Sequence, residues 1–119
     1  MTLEELVGDY SIKGHNQDAA QSSYKGKLTL SMDKNRRIIA LWNISGDQVQ
    51  KGTGFFKDQI LVINFNYLGE QGQVFKGVVV YKCLSKDVLD GFWSEKHGDT
   101  RFLGAEQAFK IHENKPLLN

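Results

Sequence analysis

The sequence predicts an all-β chain: eight antiparallel strands in an up-and-down meander that closes into a barrel. Three observations point there. Apolar and polar residues alternate through most of the 119 residues, and short turn-forming groups interrupt that alternation. The single proline, Pro116, lies in the tail, while twelve glycines are spread through the body. Successive side chains of an extended chain point to opposite sides, so every-other-residue alternation marks a strand with one buried face.

At the start, Thr2 with Glu5 three residues on fits a capping box, and a short helical turn is expected over Thr2–Leu6. Strand one follows over Val7–His15, with Tyr10 and Ile12 on one face and Asp9, Ser11 and Lys13 on the other. The polar segment His15–Ser22 reads as the longest loop. Strand two, Ser23–Met32, is the cleanest case, with Tyr24, Gly26, Leu28, Leu30 and Met32 opposing Lys25, Lys27, Thr29 and Ser31. Asp33-Lys34-Asn35 turns the chain into strand three, Arg36–Ser45, which sets Ile38, Ala40, Trp42 and Ile44 on one face. Gly46-Asp47 reads as a two-residue hairpin turn. Strand four, Gln48–Phe56, is weakened on one face by Gly52 and Gly54, and Lys57-Asp58 turns into strand five, Gln59–Tyr67. A glycine-bounded loop, Gly69–Gly72, precedes strand six, Gln73–Cys83. Strand seven carries Leu89, Gly91 and Trp93, and His97-Gly98-Asp99 leads to strand eight, Thr100–His112.

An open meander of this size would leave two bare edges and an apolar face with no helix to cover it, and closure removes both problems. A two-sheet sandwich is the alternative that alternation permits. The length fits one domain, residues 1–119, with a core over about 7–112, a short N-terminal turn and a frayed C-terminal tail.

Composition narrows the function classes. Fifteen Lys and Arg against fourteen Asp and Glu give a net charge of +1, and the basic residues gather no further than Lys34, Arg36 and Arg37. A nucleic-acid partner would require a concentrated basic stripe, so none is expected. No apolar run approaches the ~20 residues of a membrane helix. The first residues lack the basic segment and apolar stretch of a secretion signal, so a cytoplasmic protein is expected, although a secreted form with its signal removed reads the same. The single cysteine, Cys83, reads as a small buried hydrophobe. His15, His97 and His112 have no metal-ligand spacing, and the serines and Gly52-Thr53-Gly54 sit in no nucleophile or phosphate motif. No metal, cofactor or catalytic residue is expected.

The candidate site is the barrel interior. All four tyrosines and both tryptophans fall on inward faces, and each brings a hydroxyl or indole donor that needs a partner once buried. Tyr10, Tyr24, Trp42, Tyr81 and Trp93 are the candidate cavity residues, with Gly26, Gly77 and Gly91 leaving volume between them. Glu106 joins them conditionally. Gly104 and Ala108 would place it inward, but the opposite parity (Leu103, Ala105, Gln107, Phe109, Ile111) is more apolar and favours an exposed Glu106. If buried, it needs an Arg, Tyr or Trp partner and becomes a candidate ligand anchor or acid.

The order Gly8-x-Tyr10, Tyr24-x-Gly26, Trp42, Gly52-x-Gly54, Tyr81, Leu89-x-Gly91-x-Trp93 and Gly104-x-Glu106 resembles uncharacterised bacterial proteins with streptavidin-like or lipocalin-like (calycin) barrels. The resemblance spans about residues 7 to 110 and implies a fold and an internal cavity, with no known ligand. Better-known relatives fit less well. Two tryptophans are too few for an avidin-type biotin site, Gly8-Asp9-Tyr10 replaces the opening of the haem-binding barrels, and Arg101-Phe102-Leu103 lacks the anchor of fatty-acid-binding proteins. The leading expectation is therefore a non-enzymatic binder of a small apolar or aromatic molecule. The second is a structural or interaction barrel acting as a homodimer or higher homo-oligomer, through Ile39 and Leu41 with Phe55 or Phe92. An isomerase or cyclase using Glu106 and a tyrosine is the least expected.

Overall fold

The computed structural model describes residues 1–112. The tail read as frayed, 113–119, lies outside them. A short helix, α1 (Leu3–Leu6), is followed by strands β1 (Gly8–His15), β2 (Ser23–Met32), β3 (Ile38–Ile44), β4 (Gln48–Lys57), β5 (Ile60–Leu68), β6 (Val74–Ser85), β7 (Val88–Glu95) and β8 (Gly104–Lys110). Each strand pairs antiparallel with its predecessor, and β1 pairs with β8, so the sheet is a closed barrel in meander order. The sandwich alternative is thereby excluded.

Boundaries differ from expectation where side chains override the alternation. Strand eight begins at Gly104, four residues later than the pattern suggests. The residues before it are held in a turn: the Asp99 carbonyl accepts from the Phe102 amide at 3.0 Å, and the Asp99 carboxylate grips the Arg101 guanidinium at 2.7 Å. The connection from Lys96 to Leu103 is consequently longer than the one from Asn16 to Ser22 that had looked longest. The β3–β4 turn is Ser45-Gly46-Asp47, because Ser45 leaves the strand with φ 54° and Gly46 follows with φ 87°. At the β4–β5 turn, Asp58 and Gln59 take φ 51° and 66°, the double left-handed conformation whose twist matches a tight hairpin.

One end of the barrel is closed and dry. Thr2 caps α1 through a complete capping box with Glu5, and Leu6 is carried into the core. The hydroxyl of Tyr10 donates to the Leu6 carbonyl at 2.7 Å and lies 3.2 Å from that of Lys86, so it ties the plug to the β6–β7 turn. Leu28, Leu30, Ile38, Leu61, Ile63 and Leu89 fill the layers above it, all buried. Cys83 belongs to this core as expected, and burial pushes its thiol up to about 11, which leaves it protonated and unreactive at neutral pH. At the opposite end the interior is lined by larger, partly polar side chains, and there the packing opens. Among the described residues no helix is long and apolar enough to cross a membrane.

The outer wall carries one apolar band. In register across the sheet lie Phe55, Val62, Val80, Phe92 and Ala105, on β4 through β8. Phe55 is 61% exposed and Phe92 52%. Ile39 borders this band through Thr53, whereas Leu41 stands apart, in a row with Lys51, Asn66 and Lys76.

A carboxyl-centred cavity at the open end

β8 turns its small residues inward. Gly104, Glu106 and Ala108 are buried, and the more apolar parity faces out, with Phe109 covered by the Lys13 ammonium 5.6 Å from its ring centre. The expectation of an exposed Glu106 is therefore overturned. Apolar content misassigns the face because the interior already holds too many rings to admit bulky neighbours from β8.

Cross-strand glycines create the room for those rings. Glu106 lies directly opposite Gly14 on β1 and opposite Gly91 on β7. The next strand out on each side places Tyr24 opposite Gly14 and Tyr81 opposite Gly91. Each tyrosine ring lies across its glycine, so its hydroxyl reaches the carboxyl one strand further on. A methyl group at Gly14 would stand 2.6 Å from Tyr24 Cζ, and one at Gly91 2.5 Å from Tyr81 Cδ1. Trp93 lies over Gly104 and Phe65 over Gly77 in the same manner.

The carboxyl is saturated with donors. Tyr24 Oη donates to Glu106 Oε1 at 2.8 Å, Trp42 Nε1 donates to Oε2 at 3.0 Å, and Tyr81 Oη donates to Oε2 as well. Trp93 Nε1 donates in turn to Tyr24 Oη at 3.1 Å, joining both indoles to one network. Burial raises the Glu106 carboxyl above the usual carboxylate range, and the Tyr81, Tyr24 and Trp42 hydrogen bonds offset part of that rise. Burial and the neighbouring Glu106 carboxyl push the Tyr24 and Tyr81 phenols far above their ordinary value. Both therefore remain hydroxyl donors at any physiological pH. The network braces the wall of the cavity.

Above the brace lies a cavity of about 90 Å³. Tyr24, Trp42, Tyr81, Trp93 and Glu106 all line it, as do Phe65 and Val79. Tyr10 does not, because it sits in the closed-end plug. Phe65 stands edge-on to both indoles, 6.1 Å from each, at 70° to Trp42 and 85° to Trp93. The mouth is formed by Asn16, Ile44, Gln48, Gln50, Tyr67 and Glu95. Tyr67 Oη donates to Glu95 Oε2 at 2.9 Å, and Gln17 fixes the same strand end by accepting from the Glu95 amide at 2.9 Å and donating to Ser94 Oγ at 3.0 Å. Sequence reading missed Glu95 and the two glutamines, although parity carried the signal. Glu95 continues the inward series of Gly91 and Trp93, and Gln48 and Gln50 continue that of Gly52 and Gly54. Among the described residues no group of three or more His, Cys, Asp or Glu stands together in a way that could hold a metal.

Neither a family model nor a curated protein matches this chain. Solved structures do. A redesigned beta barrel, b11L5F_LGL, superposes with a TM-score of 0.72 at 12% identity, over 92% of this chain and 95% of that one. The redesigned barrel mFAP1, bound to DFHBI, gives 0.66 at 16% identity over 92% and 97%. A fluorescence-activating beta barrel designed de novo gives 0.63 at 10% identity over 93% and 100%. The likeness is one of fold. It agrees with the closed eight-stranded barrel that the alternation implied.

Proposed function

We propose that this protein is a non-enzymatic small-molecule binder, cytoplasmic and akin to bacterial streptavidin-like barrels, that takes its ligand at the open end of the barrel. The carrying observation is the ring-lined cavity itself, whose wall is fixed by four side-chain donors and one carboxyl while its mouth stays polar. Sites of this kind pair a mostly apolar lining with a few placed polar groups. Barrels of the same shape that bind the small molecule DFHBI support the reading. At about 90 Å³ the cavity is smaller than the ~150 Å³ void that accepts a benzene ring, so only a compact group enters and the rest of the ligand leaves through the mouth.

The test is a thermal-shift and tryptophan-fluorescence screen with small aromatic and apolar molecules. A ligand at about 100 times its dissociation constant adds about 2.7 kcal/mol to stability. Ile44→Trp, which fills the mouth, should abolish the shift with the fold intact. A broad panel that moves neither signal, or an Ile44→Trp variant that binds as well as the parent, overturns the proposal.

A second reading rests on the outer apolar band. We infer that it packs against a second copy of the chain, because the next row in register is self-complementary. Lys82 and Asp90 are exposed and directly opposite one another, so a two-fold axis between them sets Lys82 of one copy against Asp90 of the other. Sedimentation should show a dimer that Phe92→Lys converts to a monomer. A parent chain that sediments as a monomer at high concentration removes this reading.

A further inference from the structure

Within the binding reading above, which this inference rests on, we propose that the ligand is a small organic cation: a compact ammonium group seated among the rings, with its charge answered by Glu95. Three features of the cavity converge on that chemistry.

The first is its charge. Among the described residues that line it there are two carboxyl side chains, Glu95 and Glu106, and no Lys, Arg or His. An anionic group entering here would meet no counter-charge and would face both carboxyls. Lys76, Lys96 and His97 line an adjoining outer groove that shares Asn16, Trp93 and Glu95 with the cavity, and none of these three lines the inner cavity.

The second is the disposition of the two carboxyls. Glu106 already accepts from Tyr24, Tyr81 and Trp42, so it serves as the fixed floor. Glu95 accepts one hydroxyl hydrogen bond, from Tyr67 to Oε2, and makes no ion pair within 4.0 Å among the described residues. Its remaining oxygen is available at the mouth. Tyr67 and the Gln17 clamp on its backbone hold it there without neutralising it.

The third is the arrangement of the rings. Trp42 and Trp93 are locked by their indole hydrogen bonds, and Phe65 stands nearly perpendicular to both. All three rings line the cavity, and rings of this kind attract a cation over their negative faces. Indole is the best of the ring types for holding a desolvated cation. The small volume selects a compact head over a flat dye.

The experiment uses three molecules that share a compact trimethyl head and differ in charge: choline, its neutral carbon analogue 3,3-dimethylbutanol, and the smaller anion trimethylacetate. Binding to the full chain is read by tryptophan fluorescence and calorimetry. Choline should bind at least tenfold more tightly than the neutral analogue, and trimethylacetate should not bind. Glu95→Gln should remove the tenfold preference while leaving the affinity for the neutral analogue within a factor of about two. Equal or tighter binding of the neutral molecule overturns the cation inference and leaves the binding reading standing. Cation binding that survives Glu95→Gln overturns the role given to Glu95. If none of the three binds, the cation inference falls, and if the wider screen finds no ligand either, the binding reading falls with it.

Discussion

Glu106→Ala is expected to destabilise the protein by about 3–5 kcal/mol. Removing the carboxyl leaves the Tyr81 hydroxyl and the Trp42 indole without an acceptor in a buried site, and each unmet donor costs about 1–3 kcal/mol. Glu106→Gln should be far milder, about 1 kcal/mol. Its amide oxygen can accept from Tyr81 and Trp42, while its NH₂ donates to Tyr24 Oη, which has capacity to accept. Urea unfolding measures both. A Glu106→Ala loss below about 1 kcal/mol would show that water replaces the carboxyl and that the network is not a structural brace.

The same pair of variants reports the ionisation of Glu106. Its folded-state value is raised by burial, so below the unfolded value near 4.5 both states hold the proton and its contribution is fully present. As pH rises, the unfolded chain releases the proton first. Stability then falls until the folded value is passed. Glu106→Gln lacks this slope. The parent-minus-variant difference in stability should decrease from pH 4.5 upward and then level off. The surface carboxylates of Asp9, Asp33 and Asp99, whose values are lowered, give the opposite slope at acid pH, but they are common to both proteins and cancel.

Gly91→Ala is expected to cost about 3 kcal/mol, near the upper end of the range for overpacking. The added methyl falls 2.5 Å from Tyr81 Cδ1, and Tyr81 is wholly buried. The ring cannot swing aside without drawing its hydroxyl off Glu106. A double-mutant cycle isolates the clash: in a Tyr81→Leu background, alanine at position 91 should cost less than about 1 kcal/mol. Equal costs in both backgrounds would place the effect instead in the methyl's approach to the Val80 carbonyl on β6, 3.0 Å away. Ligand binding should weaken along with stability in the single variant, because Tyr81 lines the cavity.

How far these features could be read from the chain differs between fold and site. Alternation of the quality seen at Tyr24–Met32 is a local signal, and it located all eight strands and the inward set of rings. Closure followed from the lack of any covering helix. Boundaries failed where a turn is built by side-chain bonds, as between Asp99 and Arg101, because such bonds leave no periodic trace. Glu106 was misjudged for a different reason. Its strand is apolar on the outer parity, and only the cross-strand partners Gly14 and Gly91 reveal that the interior needs small residues and one carboxyl there. Tyr10 was rightly placed inward, yet its height along the barrel axis depends on register with β8 and on α1. Glu95, Gln48 and Gln50 were overlooked because a polar side chain on an inward parity near a strand end has no visible partner until neighbouring strands surround it.

The two ends of the barrel divide their labour. Leu6, the Tyr10 hydroxyl and the aliphatic layers above them form a self-contained stopper, separate from the carboxyl brace under the mouth. The residues at the rim, Ile44, Gln48 and Gln50, take no part in either the stopper or the brace. Evolution or an engineer can therefore reshape molecular selectivity at the rim, one substitution at a time, on a scaffold that stays shut at its base.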